Sequence, residues 1–209
     1  MGQNSEALSV FAKTFAEHLQ VVAETQARLS VLEGIAEAMI ATLSAGRKIL
    51  WCGNGGSAAD SQHLAAELVG RFQRDRRALA SIALTTDTSI LTALGNDMGF
   101  DRVFSRQVEA ISSPGDLLVG ITTSGNSPNV VLALETARKL HLTTVAFTGQ
   151  GGGKVAQFAD HLFAVPSRNT ARIQEAHTLA GHMICDWVEL SMVQAGEEAS
   201  RVAVLGQPR

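Results

Sequence analysis

Short apolar segments alternate with helical segments along most of the chain, and this alternation restricts the fold more than any other feature. Between residues 116 and 121 the apolar run is nearly continuous, which is typical of a strand covered on both faces. Alternation of this kind predicts a mostly parallel sheet with helices on both faces, in an α/β architecture. We predict five strands, at Lys48–Cys52, Ala80–Thr85, Asp116–Ile121, Thr143–Thr148 and His161–Val165.

Helical spacing of apolar residues accounts for most of the remaining chain. Residues 5–45 are predicted to form a hairpin of two helices with Gly46 as a stop, and Thr170–Val193 a long apolar helix. The other helices are predicted at Ser57–Val69, Thr88–Leu94, Phe100–Ile111, Ser127–Leu140 and, as a short segment, from Gly151. Because no linker or repeat interrupts this pattern, residues 1–195 are predicted to form one domain and residues 196–209 a flexible tail.

The composition limits the classes of function. Only 18% of the residues are charged and 45% are apolar, so a helix-rich chain of this kind is expected to associate with copies of itself. A net charge of −3 argues against nucleic-acid binding, and the four arginines between residues 71 and 77 are interpreted as a solvated loop, with anion steering as the alternative. We recognise no signal peptide or membrane span, and Cys52 and Cys185 fit small buried hydrophobes, so we expect a cytoplasmic location.

Two strand-to-helix turns are rich in small polar residues. Gly53–Ser57, with the sequence Gly-Asn-Gly-Gly-Ser, follows the first strand, and Thr122–Ser127 follows the third and carries four hydroxyl groups. Glycine lets backbone N–H groups approach an anion closely, and the positive end of the following helix faces that anion. Because ligands of parallel sheets bind beyond the carboxyl ends of the strands, we predict that these turns hold the phosphate of a small substrate.

Other interpretations of the two turns remain open. Both could be ordinary turns whose polar side chains cap helices. The sequence has no P-loop ending in Gly-Lys-Ser/Thr. Gly53, Gly55 and Ala58 match the dinucleotide fingerprint Gly-x-Gly-x-x-Ala, but the acidic residue expected about 20 residues later is missing. A nicotinamide-dependent enzyme is therefore a minor alternative.

Side chains suited to proton transfer or metal binding occur on two predicted helices. His63 and Glu67 are one turn apart and therefore share a helix face. Gln174, His177 and His182 lie on the last helix, and Gln174 and His182 could complete a zinc site with His63 and Glu67. Because Gln174 and His182 are separated by about 12 Å of helix, supply from two subunits is easier than from one. We therefore predict an active site at a subunit interface.

Taken in order, these motifs resemble the phosphoheptose isomerases, a family with the sugar-isomerase (SIS) fold. The resemblance runs from Lys48 to Glu189, and it implies a three-layer sandwich around a mostly parallel five-stranded sheet, with the N-terminal helices in an oligomer interface. It rests on Gly53–His63 with Glu67, and on Thr85–Ser89, Gly95–Asp97, Thr123–Ser127, Ile173–Glu175, His177 and Gly181–His182.

The resemblance implies an aldose–ketose isomerase that converts D-sedoheptulose 7-phosphate into D-glycero-D-manno-heptose 7-phosphate through an enediolate, as the first step of nucleotide-activated heptose biosynthesis. It also implies a homotetramer with one zinc ion per subunit. Glu67 and His182 would be the acid/base pair, and the zinc ligands would be His63, Glu67, Gln174 and His182. A tightly held ligand is a poor base, so either one role dominates or the metal shifts when substrate binds. The residues implied to contact substrate are Asn54, Gly55, Gly56, Ser57, Glu67, Asn96, Asp97, Thr122, Thr123, Ser124, Ser127 and Gln174.

The main alternative is a non-catalytic SIS protein that binds a sugar phosphate or a protein partner, such as the proteins that associate with the replication initiator DnaA. Those proteins lack the equivalents of Glu67 and His182, which are present here. Arabinose-phosphate isomerases usually carry appended regulatory domains, and amino-sugar synthases carry two SIS copies. The length of this chain favours neither.

Overall fold

A sheet of five parallel strands, in the order β2-β1-β3-β4-β5, forms the centre of the molecule. The computed structural model describes the backbone of residues 2–205 and the side chains of residues 6–196. The strands are β1 (Ile49–Gly53), β2 (Ser81–Ala83), β3 (Leu117–Thr122), β4 (Thr143–Thr148) and β5 (His161–Ala164). All five predicted strands are confirmed, and β2 is shorter than predicted because only its three residues pair with β1 at the sheet edge.

Seven α-helices surround the sheet within residues 2–205. They are α1 (Gly2–Thr25), α2 (Leu29–Ser44), α3 (Gly56–Val69), α4 (Thr88–Met98), α5 (Ser105–Ile111), α6 (Pro128–Lys139) and α7 (Thr170–Leu205). Three short 3-10 helices occur at Gln26–Arg28, Phe100–Arg102 and Gly153–Phe158. The predicted helix at Phe100–Ile111 is divided into a 3-10 helix and α5 by a turn at Val103 and Phe104, which are 0% and 2% exposed. None of the helices in the described part of the chain has the length and apolarity needed to cross a bilayer.

The N-terminal helices differ from the predicted hairpin. α1 and α2 are joined by a 3-10 segment whose flanking residues Thr25 and Leu29 keep helical dihedrals, so the chain is not reversed there. Both helices pack against α7 instead of forming a hairpin with each other. The long helix α7 therefore serves as the common support for the N-terminal region.

Helix α7 also continues past its predicted end at Val193 and reaches Leu205. Residues 194–205 contain three alanines, two glutamates, one glutamine and one arginine, and all four residue types favour helix. The predicted tail at residues 196–209 is thus helical through residue 205, and its last four residues lie outside the described part of the chain.

Alternate side chains of the strands enter two separate apolar clusters, because successive residues of a strand point to opposite faces. Trp51 and Val119 belong to the cluster covered by α2, α3 and α7. Leu50 and Leu118 belong to the cluster covered by α5 and α6. All four are at most 1% exposed. The predicted three-layer sandwich is confirmed, and the sheet is buried on both faces as its apolar runs indicated.

The strand order places a crevice at the carboxyl ends of β1 and β3. From β1 the chain moves to one side for β2 and then returns to the other side of β1 for β3. Such a reversal is the topological switch point where parallel sheets bind ligands. Gly53 at the end of β1 pairs with Ile121 of β3, so the two polar turns leave the sheet next to each other.

Candidate active site

The turn after β1 depends on its glycines. An added Cβ on Gly53 would lie 2.7 Å from the backbone oxygen of Ser57, so no larger residue fits there. Gly55 has a φ of 58°, in the left-handed region that favours glycine. These two residues let α3 begin at Gly56, directly after the strand. Gly55 and Gly56 are exposed, whereas Ser57 is buried, so the open part of the turn is its backbone.

The turn after β3 gathers hydroxyl groups at the start of α6. Thr122 Oγ1 lies 2.9 Å from Ser127 Oγ and 3.3 Å from Ser124 Oγ. Ser127 is the N-cap residue of α6, yet its hydroxyl makes no capping hydrogen bond. The hydroxyl groups therefore lie together at the positive end of the α6 dipole, an arrangement that suits a phosphate. Thr123, in the same turn, is half-buried.

A second glycine-rich loop, at residues 149–153, supports this turn from outside. Gly125 has a φ of 67°, and its Cβ position lies only 2.1 Å from the carbonyl oxygen of Gly152. Gly149 N–H donates to the Thr123 carbonyl and Val155 N–H donates to the Gly125 carbonyl, both at 3.0 Å. Sequence analysis did not assign this supporting role, although three consecutive glycines were a visible signal.

Asn54 and Asn129 connect the two turns. The side-chain amide of each donates to the side-chain oxygen of the other, at 2.9 Å in both directions. Asn129, in the first turn of α6, is 2% exposed. Sequence reasoning missed Asn129 because nothing in the local pattern marks a residue whose partner is 75 positions away. The reciprocal pair fixes the amide of Asn54 at the crevice.

Helices α3 and α7 run side by side in the same direction. Thr178 Oγ1 donates to Asp60 Oδ1 at 3.0 Å, one to two turns along each helix from its start. Further along, a Cβ on Gly181 would lie 2.6 Å from the Leu64 side chain, so the glycine allows the helices to approach closely. This approach brings His182 of α7 against the exposed face of α3.

Three of the four predicted metal ligands converge there. His63 Nε2 lies 2.7 Å from His182 Nε2 and 3.5 Å from Glu67 Oε1, and one ligand atom of each lies within 4.8 Å of the others. Gln174 of the same chain does not join them: it lies against Gly56, where a Cβ would be 2.2 Å from Gln174 Nε2. Gly56 precedes His63 by seven residues, about 10 Å along α3. The expectation that all four side chains come together is therefore met for three residues within one chain.

The donor set of this cluster fits a zinc ion. Two imidazole nitrogens and one carboxylate oxygen are ligands that zinc takes, at about 2.0–2.2 Å. Ligand atoms around a tetrahedral zinc are then about 3.3 Å apart, between the observed 2.7 and 3.5 Å. The two Nε2 atoms are 2.7 Å apart, and two imidazole lone pairs so close repel each other. A proton shared by the two nitrogens, or a cation bound by both, removes this repulsion. Three protein ligands also leave a fourth coordination position.

Asp60 lies beside the cluster and received no role from the sequence. Its Oδ2 atom is buried without a hydrogen-bond partner among the described residues. Burial raises the pKa of this carboxyl group, while the hydrogen bond from Thr178 and the charges of His63 and His182 oppose the shift. Asp60 is thus close enough to both imidazoles to interact with them electrostatically.

The remaining candidates lie apart from the cluster. Asn96 and Asp97 are exposed on the last turn of α4, where the Asn96 amide donates to Asp97 at 2.7 Å. His177 is wholly buried next to Phe147, and its Nε2–H donates to the Thr148 carbonyl at 3.0 Å. Burial lowers the pKa of His177 to about 4, although that hydrogen bond opposes the shift. His177 is therefore a neutral residue of the core and does not join the cluster of His63, Glu67 and His182.

The arginines interpreted as a solvated loop are organised by a carboxylate of α7. Arg76 has a side chain 3% exposed, and its Nε lies 3.2 Å from Glu189 Oε1 without hydrogen-bond alignment. Arg74 Nη1 lies 2.5 Å from Asp186 and 3.6 Å from Glu189. The solvated-loop interpretation is wrong for Arg76, because sequence reasoning did not connect it with a carboxylate so far along the chain, whereas Arg74 is still one third exposed. Arg71 remains exposed.

Comparison with known proteins agrees with this geometry. The model of the SIS domain family matches residues 10–149. A phosphoheptose isomerase of Akkermansia muciniphila is 58% identical over 158 residues, covering 76% of this chain and 84% of the relative. One of Aquifex aeolicus is 63% identical over 152 residues, covering 72% and 80%. The solved phosphoheptose isomerase of Neisseria gonorrhoeae superposes with a TM-score of 0.83 at 47% identity, covering 87% of this chain and 98% of the other.

The matched region contains both polar turns and the whole of α3. The structural match also extends over most of the chain, so the fold and the motifs point to the same group of proteins. The chain belongs to the SIS domain family and, within it, to the phosphoheptose isomerases.

Proposed function

We propose that the protein converts D-sedoheptulose 7-phosphate into D-glycero-D-manno-heptose 7-phosphate, as the first step of nucleotide-activated heptose biosynthesis. The observation that carries this proposal is the convergence of Glu67 and His182 with His63, all within 4.8 Å. Glu67 lies on a helix that begins at the crevice between two turns suited to phosphate. The relatives named phosphoheptose isomerase support the same reaction. A non-catalytic SIS protein would have no need for this acid/base pair.

The isomerisation moves a carbonyl group from C2 of the ketose to C1 of the aldose. A base removes a proton from C1, and the electron pair forms the C1–C2 double bond of an enediolate while O2 takes up charge. Return of one proton to C2 and of another to O2, with loss of the proton on O1, completes the aldose. A carboxylate and an imidazole can share these transfers when each is near the reacting carbons. We assign these transfers to Glu67 and His182, whose polar atoms lie within 4.8 Å of each other.

The two turns would hold the rest of the substrate. The hydroxyl groups of Thr122, Ser124 and Ser127, together with the positive end of α6, form the better phosphate site. The exposed backbone of Gly55 and the amide of Asn54 would face the sugar chain. We propose these roles, and those of the other predicted contact residues on α4 and in both turns, and membership of the family supports them.

We extend the proposal to one zinc ion per subunit, held by His63, Glu67 and His182. When bound, zinc would polarise the substrate oxygens and stabilise the enediolate charge. Gln174 of the partner subunit would complete the ligands, because Gln174 of the same chain lies against Gly56. Asp60 would support the imidazoles through its negative charge.

We also infer a homotetramer with active sites at subunit interfaces. Two rows of exposed apolar side chains support this inference, on α1 and on the part of α7 that carries His182. The rows are Phe11, Phe15 and Leu19, exposed by 62%, 69% and 61%, and Leu179, Met183 and Trp187, exposed by 39%, 41% and 46%. Rows of this size normally mark protein contacts. Because Cys52 and Cys185 are unpaired and buried, a reducing compartment such as the cytoplasm is part of the same proposal.

Turnover in deuterated water provides the test of the reaction. The metal-stripped protein, with and without added zinc, is incubated with sedoheptulose 7-phosphate and the products are followed by NMR. We expect an aldoheptose phosphate that carries deuterium at C2. Glu67→Gln and His182→Gln should each reduce kcat by about 10²–10⁴-fold. Absence of turnover by the wild type under both conditions would refute the proposal.

A further inference from the structure

The ring of Phe72 lies against the imidazole of His182. The ring centroids are 5.4 Å apart and the planes differ by 23°, so the two rings are stacked. On another side, the His63 ring meets the same imidazole edge-on, with centroids 5.0 Å apart. Phe72 is half-buried and follows the end of α3 by three residues. The His182 ring therefore lies between the face of the Phe72 ring and the imidazole of His63.

The position of Phe72 depends on a buried carboxylate. Glu189 is 0% exposed, and its two oxygens accept three consecutive backbone N–H groups. Phe72 N–H donates at 2.8 Å, Gln73 N–H at 2.7 Å and Arg74 N–H at 2.8 Å. Arg76 adds an ion pair at 3.2 Å. Hydrogen bonds of this kind to a carboxylate are about twice as strong as neutral ones, so the loop is firmly held.

Helix geometry links Glu189 to His182. The two residues are seven positions apart on α7, which is about two turns, so they lie on the same helix face. That face therefore carries both the imidazole and the carboxylate that holds the loop stacked on it. A loop that only closed a gap in the surface would need neither the triple N–H contact nor a ring over the imidazole.

We propose that Glu189 and Phe72 are positioning residues for His182: Glu189 holds the loop at residues 72–74, and the Phe72 ring holds the imidazole with Nε2 toward His63 and Glu67. The proposal rests on the proposed function, because it takes His182 as a proton-transfer group and zinc ligand. It adds two residues to which neither the sequence motifs nor the family resemblance gave a role.

Substitutions at Phe72 test the role of the ring. Phe72→Leu keeps an apolar side chain but loses the aromatic face, and Phe72→Tyr keeps that face. Because aromatic pairs contribute modestly, we expect Phe72→Leu to lower kcat by about 3–10-fold, with KM for sedoheptulose 7-phosphate changed less than twofold. Phe72→Tyr should retain at least half of the wild-type kcat. Phe158→Leu, at a partly buried site in the other apolar cluster, is the matched control and should leave kcat unchanged.

Cobalt binding gives a readout that does not depend on turnover. The metal-stripped protein is titrated with Co²⁺ and its visible absorption is followed. We expect Phe72→Leu to bind Co²⁺ about 3–10-fold more weakly, and Phe72→Tyr and Phe158→Leu to bind it as the wild type does. His182→Gln serves as the reference for a lost imidazole ligand.

Glu189 is tested through its coupling to Phe72. Glu189→Gln directs an amide N–H₂ toward backbone N–H groups, and we expect it to lower kcat at least as much as Phe72→Leu. If Glu189 acts through Phe72, the double variant should be no slower than Glu189→Gln alone. Thermal unfolding shows which variants are folded at the assay temperature. If Glu189→Gln does not fold, Glu189→Asp, which keeps the charge, takes its place.

Several results would overturn the proposal: wild-type kcat and Co²⁺ affinity in Phe72→Leu, equal losses in Phe72→Tyr and Phe72→Leu, or additive effects in the double variant. Failure of the proposed function looks different, because the wild type would then not turn over sedoheptulose 7-phosphate, or His182→Gln would do so normally. In that case the Co²⁺ titration still decides whether Phe72 positions His182.

Discussion

Gly125 shows how much of the phosphate turn depends on one residue. Its φ of 67° lies in the left-handed region, and its Cβ position is 2.1 Å from the Gly152 carbonyl oxygen. Both obstacles involve backbone, which cannot move aside as a flexible side chain could. The turn can therefore keep its hydroxyl groups together only with glycine at this position.

Gly125→Ala is expected to raise KM for the sugar phosphate at least tenfold and to lower thermal stability. The left-handed backbone alone costs about 1–2 kcal/mol for a residue with a Cβ, and the collision pushes the turn away from residues 149–153. Steady-state kinetics and thermal unfolding measure the two effects. Gly34→Ala in α2 is the control, since its Cβ would lie 3.6 Å from His161, and it should stabilise by up to about 1 kcal/mol. An unchanged KM in Gly125→Ala would contradict this account.

Sequence reasoning at the residue scale succeeded where the signal was local. The polar turns and the His63–Glu67 spacing are visible within a few positions. The structure places the two turns next to each other and puts His63 and Glu67 on the helix that begins at the first turn. Asn129 and Glu189 were missed because each acts through a hydrogen bond to a residue far along the chain, Asn54 and Phe72 respectively. The short-range pattern contains no trace of such a pairing.

At the scale of elements, the parallel contact between α3 and α7 assembles the site. Neither helix carries the whole cluster, since His63 and Glu67 lie on α3 and His182 lies on α7. Gly181 precedes His182 and faces Leu64, so the separation of the helices is set one residue away from the imidazole. A larger residue at position 181 should push α7 away from Leu64 and so displace His182, although it would make no contact with the imidazole itself.

Gly181→Ala is expected to lower kcat by about 10–100-fold, because displacement of a catalytic group by about 1 Å has costs of this size. The added methyl group would meet the Leu64 side chain at 2.6 Å. Leu64→Val removes the atoms that it meets, so the double variant should recover part of the lost kcat. Kinetics of both single variants and the double variant measure this. Wild-type kcat in Gly181→Ala would show that helix separation does not position His182.

The type and order of the elements could be predicted, whereas several of their ends could not. Strands buried on both faces leave a continuous apolar run, and all five were found. The end of α7 and the break between Phe100 and Ser105 depend on packing and helix propensity that the apolar pattern does not contain. The absence of an N-terminal hairpin follows likewise from the packing of α1 and α2 on α7.

At the scale of the whole molecule, burial of His177 links stability to pH. In the fold its pKa is lowered from 6.5 to about 4, so the unfolded chain takes up a proton that the folded chain refuses. Stability is therefore lost as the pH falls from about 6.5 toward about 4. Between pH 6.5 and pH 4.5 the loss should be about 2 kcal/mol.

His177→Gln should remove most of this pH dependence, because glutamine does not titrate and can still donate to the Thr148 carbonyl. Urea unfolding at several pH values above 4.5 measures it. Below that range, Glu189 and Asp116 add their own acid sensitivity, since both have a lowered pKa in the fold. His141→Asn, at an exposed position with a φ of 60°, is the control and should keep the wild-type slope. An unchanged slope in His177→Gln would contradict the assignment.

Mixed oligomers should show which residues of a site come from one subunit. Glu67 and His182 converge within a single chain, so reassembled mixtures of Glu67→Gln and His182→Gln should remain inactive. Mixtures of Gln174→Ala with His182→Gln should recover activity if Gln174 of the partner subunit completes the site. Activity after subunit exchange, with mixing verified by mass spectrometry, is the measurement. Recovery in the first mixture would place Glu67 and His182 in different subunits.

The sequence by itself determined the α/β class, the five strands and the two polar turns, because periodicity and local composition carry that information. It also supplied His63, Glu67, Gln174 and His182 as candidates. Only the tertiary structure decided that His182 enters the cluster, that Gln174 of the same chain lies elsewhere and that His177 belongs to the core. His182, Gln174 and His177 all lie on α7. Their surroundings differ because the packing of α7 against the sheet and α3 decides which neighbour each face of the helix contacts.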